Sequence, residues 1–217
     1  AQVLAQSKNF PNLLELNLNY NQVGDAGAQA LARSSSLTRM VRLELAYNPL
    51  EDAGRQELEV FKFRQKIKLW KSKETLGNLE NNYIGDAGLK VLLDSPHLEG
   101  IRELNLNNNN LSDEAAIALA QSPKLKQLES LHLAANSISD RGVRALAESK
   151  VLVRLKNLDL NFNRIGNAGA RALAQSQSMA QLESLRLGQN KIGSEGAKAL
   201  AESATLKNLI YPIFGFY

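Results

Sequence analysis

An asparagine returns at Asn21, Asn48, Asn82, Asn109, Asn136, Asn163 and Asn190, at intervals of 27, 34, 27, 27, 27 and 27 residues. A period of this length restricts the chain to stacked supersecondary units, each burying its apolar face against the next. More than the asparagine repeats. "LLELNLNYNQVGDAGAQALARS" begins at Leu13, "LESLHLAANSISDRGVRALAES" at Leu128, "LKNLDLNFNRIGNAGARALAQS" at Leu155 and "LESLRLGQNKIGSEGAKALAES" at Leu182. Leucines that alternate with polar residues, as in "LNL", predict a short half-buried strand. The asparagine amide can bond backbone groups of the turn that follows, and stacked copies would form a ladder. Four positions later stands Asp25, Asp52, Asp86, Asp113, Asp140, Asn167 or Ser194, each suited to the cap or first turn of a helix. Leucine and small residues then recur at helical spacing. Gly27, Gly54, Gly88, Gly142, Gly169 and Gly196 fall in the first helical turn, where glycine costs about 1 kcal/mol against alanine. Close packing of helix on strand is the expected compensation.

The pattern Leu-x-x-Leu-x-Leu-x-x-Asn-x-Ile-Gly-Asp-x-Gly-Ala-x-Ala-Leu-Ala resembles the leucine-rich repeat, in its ribonuclease-inhibitor-like subclass with a helix in every unit. The resemblance implies an α/β fold: a right-handed βα leucine-rich-repeat solenoid, or horseshoe, with parallel strands on the concave face and helices on the convex face. It implies one domain over residues 1–217, with a partial repeat at 1–12, repeats starting near 13, 40, 74, 101, 128, 155 and 182, and a degenerate partial repeat at 209–217. "AQVLAQS" aligns with "AQALARS" one period later, so Ala1 falls inside a helix. At the other end Pro212 takes a core leucine slot and Tyr217 the asparagine slot. Neither end supplies the polar capping repeat that solenoids use, so the sequence reads as a fragment, and the apolar "LIYPIFGFY" is expected to promote self-association. Family members of the vertebrate type are rich in cysteine and alternate two repeat types. A uniform period without cysteine is more similar to bacterial, effector-type members.

Residues 55–78 break the rhythm. "EVFKFRQKIKLWKSKETL" contains the single tryptophan, and from Arg55 to Lys73 seven Lys/Arg face two Glu, a net of +5. The formal charge of the whole chain is +4, so everything else sums to −1 and general nucleic-acid binding is not indicated. Val60, Phe63, Ile67 and Trp70 fit helical spacing, whereas Phe61, Phe63, Ile67 and Leu69 fit strand alternation. Seven extra residues make about two helical turns, which an extended helix absorbs without rotating its buried face. Glu57 and Glu59 occupy slots that alanine holds elsewhere and that should point inward, and Gly77 replaces a strand leucine. A decayed or elongated repeat is the favoured reading, ahead of a basic amphipathic contact for membrane or partner helix and of a nucleic-acid patch. Neither nucleic acid nor membrane is expected as a partner, with the basic segment 62–73 the one weak exception.

The absence of cysteine excludes disulfides, thiol catalysis and cysteine-based zinc sites, and fits a reducing compartment, the cytoplasm or a host cytosol. Two histidines and no phosphate-binding loop argue against a cofactor or metal. Ser130, His132 and Asp159 could be taken for a catalytic triad. Ser130 and His132 would lie about 6.6 Å apart on one strand, without a nucleophile elbow, so no enzyme activity is expected. The concave face should display one column at Glu15, Arg42, Glu103, Ser130, Asn157 and Ser184, and a second at Asn17, Glu44, Asn78, Asn105, His132, Asp159 and Arg186. A third, just after the strands, is Tyr20, Tyr47, Asn81, Asn108, Ala135, Phe162 and Gln189. Aromatics beside arginine are the types enriched at binding hot spots. Tyr20, Arg42, Glu44, Tyr47, His132, Asp159, Phe162, Arg186 and Gln189 are therefore the expected contacts for a partner protein. The family resemblance leaves a Ran-type GTPase-activating regulator, or the substrate-recognition part of a larger enzyme, as the alternative.

Overall fold

A computed structural model describes residues 1–69 and 77–210. Several expectations fall outside them: Trp70, Lys71 and Lys73, the repeat start near 74, and the C-terminal edge with Pro212 and Tyr217. The chain forms two compact units, residues 1–69 and 70–217. In the first, α1 (Gln2–Gln6), β1 (Glu15–Asn17), α2 (Asp25–Ala32), β2 (Arg42–Glu44) and α3 (Asp52–Leu69) alternate, and β1 pairs with β2 in parallel. The second contains α4 (Gly85–Asp94), β3 (Glu103–Asn105), α5 (Asp113–Gln121), β4 (Ser130–His132), α6 (Asp140–Ala147), β5 (Asn157–Asp159), α7 (Asn167–Ala174), β6 (Ser184–Arg186) and α8 (Ser194–Ala201). Its strands form one parallel sheet in the order β3-β4-β5-β6, extended by a bridge from Asn78 to Asn105. This is the α/β repeat architecture expected from the sequence.

Register follows the 27-residue period. Glu15 pairs with Arg42, and Glu103, Ser130, Asn157 and Ser184 lie side by side. The central leucines Leu104, Leu131, Leu158 and Leu185 are buried, each worth about 1.5–3 kcal/mol of transfer free energy. Strands of three residues supply few ladder bonds, so side chains complete the connection. Asn163 donates from Nδ2 to the Leu133 carbonyl of the preceding repeat at 2.9 Å and accepts the Ile138 N–H at 3.0 Å. Asn48, Asn109, Asn136 and Asn190 make the same reach. A second ladder runs the other way: Asn19, Asn107 and Asn161 each accept a backbone N–H of the following repeat at 2.7 Å. Serine hydroxyls add a third. Ser149 donates to the Ala120 carbonyl at 2.6 Å and Ser176 to that of Ala147 at 2.5 Å, satisfying open carbonyls at the end of the previous helix.

The aspartates stand in the first helical turn as expected. At Asp25, Asp86, Asp113 and Asp140 the carboxylate also accepts an N–H at the start of the next repeat's helix. Asp140 Oδ1 accepts the N–H of Gly166 at 2.6 Å and of Gly169 at 2.9 Å. Asp113 does the same for Ser139 and Gly142, and Asn167 for Gly193 and Gly196. This also replaces the expected reason for the first-turn glycines. A Cβ on Gly169 would lie 2.7 Å from Asp140 Oδ1, and one on Gly142 2.6 Å from Asp113 Oδ1. Contact with the neighbouring helix N-terminus, together with the isoleucine of the turn before the helix (Ile138 or Ile165, at 2.8 Å), excludes the side chain.

The irregular segment is helical as far as Leu69, which settles the competing periodicities. Its buried face differs from the repeat template. Glu57 is buried as expected, but Glu59 is exposed and pairs with Lys62 at 2.7 Å. Val60, Phe61, Phe63 and Ile67 are buried instead. The helix therefore does not keep the buried face of its siblings. Two polar contacts tie it to α2: Arg33 pairs with the Glu57 carboxylate, and Arg64 Nη1 donates to the Ala32 carbonyl at 3.2 Å. Glu57 holds the Arg33 guanidinium above its ordinary pKa, by hydrogen bond first and charge second.

Asp140→Ala is expected to cost about 1.5–3 kcal/mol in urea melts, because two N–H groups lose a charged acceptor. Gly169→Ala should destabilise the fold too, although alanine is the better helix former by about 1 kcal/mol. A stabilised Gly169→Ala protein would contradict the close approach.

Candidate functional site: the strand face

The three expected columns are brought together in two separate places, one in each unit. In the first unit Tyr20 and Tyr47 stack with ring centroids 4.2 Å apart and planes inclined by 10°. Both are about three-quarters exposed, at 74% and 73%. Beside them Arg42 bonds Glu44 at 2.5 Å and lies 3.7 Å from Glu15. Glu44 also accepts from Asn17 Nδ2 at 2.8 Å and Asn19 Nδ2 at 3.2 Å. Its charge is largely spent inside the unit.

In the second unit His132, Asp159 and Arg186 are neighbours in register across β4, β5 and β6. His132 Nε2 lies 3.6 Å from Glu103 Oε1, and Arg186 Nη1 lies 3.8 Å from Asp159 Oδ2. Asp159 Oδ1 accepts the Asn161 N–H at 3.0 Å, and Ser130 Oγ accepts from Asn157 at 3.0 Å. Ser130, His132 and Asp159 thus serve different partners and make no mutual hydrogen bond. Phe162 stands 60% exposed, with Gln189 exposed in the same column one repeat on. Among the described residues no group of three histidines or carboxylates has metal-holding geometry, and no helix is long and apolar enough to cross a membrane. Burial of Phe61, Phe63 and Ile67 also removes three of the side chains that the basic segment would need for insertion into a bilayer.

The third column has a property that residue types did not reveal. Tyr20, Tyr47, Asn81, Asn108, Ala135, Phe162 and Gln189 all have positive φ, between 52° and 59°. At this position the chain leaves the strand, and the N–H groups of Tyr20, Asn81, Asn108, Ala135 and Phe162 donate to the next repeat, that of Phe162 to Gly188 at 2.9 Å. Asparagine and glycine are the usual occupants of left-handed backbone, and only Asn81 and Asn108 give that signal. An aromatic residue there costs about 1–3 kcal/mol and persists where surrounding structure fixes it.

Other exposed charges escaped the sequence reading: Glu80 just after a strand, and Arg164 and Lys191 just after the repeated asparagine. So did an ionic rim where the strands begin. Glu129 lies 3.2 Å from Lys156 Nζ and 3.0 Å from Arg102 Nη1. The hydrogen bond and charge of Lys156 hold the Glu129 carboxyl below its ordinary pKa, with smaller help from Arg102 and Arg154. The 27-residue register was the signal that could have found this ladder, since the three residues share one slot.

A family model described as leucine-rich repeat matches residues 11–32, 101–120, 124–147, 155–174 and 180–201. Each match spans a strand and the helix, or most of it, that follows. The two repeats left unmatched flank the irregular segment. Among solved structures, an internalin C2 from Listeria monocytogenes str. 4b F2365 is similar at 21% identity and a TM-score of 0.41, over 96% of this chain and 74% of that one. The actin-binding site 2 of leiomodin-1 is similar at 23% identity and a TM-score of 0.40, over 57% of this chain and 73% of that one. No curated protein sequence matches the chain.

If left-handed backbone strains Phe162, Phe162→Asn should leave the melting temperature unchanged or raised, whereas the β-branched Phe162→Val should lower it. Equal melting for the two variants would show that the position carries no strain. In an NMR titration the Glu129 carboxyl should show a midpoint below that of an ordinary glutamate. Its contribution to stability is then present above the unfolded-state pKa and lost as pH falls through the folded one. Lys156→Gln should move the midpoint upward; an unmoved midpoint would rule out Lys156 as the cause.

Proposed function

We propose that this chain, which belongs to the leucine-rich repeat family, is a protein-recognition module that docks a partner protein on its strand face. The observation that supports this reading best is Phe162, an exposed ring held in left-handed backbone beside Asp159 and Arg186. The ring is 60% exposed on backbone that its N–H bond to Gly188 fixes, so it is held in place for a contact made outside the fold. Ala134, Ala135 and Gly188 are small neighbours that leave the ring accessible. Tyr20, Arg42, Glu44 and Tyr47 form a second candidate contact in the first unit, with His132, Arg186 and Gln189 completing the one around Phe162. No described residue favours the GTPase-activating or enzyme-part alternative over recognition.

The test begins with affinity capture by the immobilised chain and identification of the bound protein by mass spectrometry. Phe162→Ala should weaken the captured partner by about 2 kcal/mol or more, roughly 30-fold. Arg186→Glu should slow association and change its salt dependence. Normal binding by both variants, together with loss on a helix-face change such as Arg171→Glu, would place the interface elsewhere.

A further inference from the structure

We infer that the strand face of residues 77–210 is charge-polarised along the stack and takes a polypeptide segment of matching order, basic over β3 and acidic over β6. The inference rests on the strand-face reading and adds the partner's charge order and its direction. It comes from the sign order of the exposed charges on the strands and the turns after them. Asp113 and Asp140 are turned into the next helix, and Glu129 is compensated by Lys156 and Arg102. What remains on the strands and the turns after them is sorted by sign. Glu80, which accepts from Asn105 Nδ2 at 3.3 Å, and Glu103, 3.6 Å from His132 Nε2, are exposed at the β3 end; Arg164 is exposed after β5, and Arg186 and Lys191 at the β6 end. Asp159, only 13% exposed in its side chain, offsets one of these cations.

The separation makes two poles of this arrangement. β3 and β6 are three strand spacings apart, about 14 Å. The Debye length at 0.1 M salt is about 10 Å, so neither end cancels the other's field. A partner charge pair on this scale spans about four extended residues or nine helical ones, lying across the strands rather than along them. A uniformly anionic surface, whether nucleic acid or lipid, would be repelled by Glu80 and Glu103. A polypeptide carries both signs and meets the requirement.

A synthetic peptide joining a lysine block to a glutamate block, with a benzophenone at either end, tests this on the full chain. At low salt it should bind at least tenfold tighter than all-lysine or all-glutamate peptides of equal length, and added salt should weaken it. Cross-links from the lysine end should fall within residues 77–113, and those from the glutamate end within 157–193. Combined Glu80→Lys, Glu103→Lys, Arg186→Glu and Lys191→Glu changes should reverse that pattern, with circular dichroism unchanged. Equal affinity for a single-sign peptide, both ends cross-linking to one segment, cross-links outside 77–210, or no binding at low salt would each overturn the inference. The recognition reading is judged separately: a captured partner that Phe162→Ala releases upholds it even when the block peptide fails.

Discussion

Everything in this fold depends on side chains of one repeat hydrogen-bonding the backbone of another. A strand of three residues followed by a turn leaves many backbone groups without a partner in their own repeat, and a buried unpaired group costs about 1–3 kcal/mol. Asn109 is fully buried, and its amide reaches the Leu79 carbonyl on one side and the Ile84 N–H on the other. The two groups it satisfies lie in the preceding repeat. No repeat is therefore chemically complete alone, and the leucine core and the polar ladders are built by the same stacking event.

The same dependence explains features that look unrelated in one repeat. Glycine is tolerated in a helix because a carboxylate from the repeat before occupies the space of its Cβ and bonds its N–H. Tyr20 and Phe162 hold positive φ where their N–H groups are fixed to the next repeat. Their rings stand on backbone with little ordering left to do, which suits the proposed docking.

Much of this was legible in the sequence. The period set the register, so all three columns could be written down residue by residue, and the asparagine ladder followed from the chemistry of its amide. The target of the aspartates was not legible, because capping one's own helix and capping a neighbour's demand the same residue type at the same place. The exposure of Glu59 was missed for a related reason. Aligning a helix to a repeat template assumes a common rotation, and α3, which buries Glu57 beside Val60 and Phe61, departs from it. The candidate contacts were placed beside one another as the register required, but their backbone conformation carried no residue-level signal, since tyrosine and phenylalanine do not announce left-handed turns.

The irregular helix shows how the constraint limits change. A buried carboxylate is tolerable only if paired, and Glu57 finds Arg33, while Arg64 closes an open carbonyl at the end of α2. The helix has lost the template's buried face yet keeps the template's habit of satisfying its neighbour. Sequence can thus vary where a slot is free of ladder duty and must be compensated where it is not. The strand positions between the leucines and the turn position after the asparagine send no side-chain bond to the backbone of another repeat, and there the second unit's exposed charge passes from Glu103 to Arg186 and Lys191. A scaffold that fixes its backbone through one set of side chains leaves another set open, and the proposed partner contacts fall in that set.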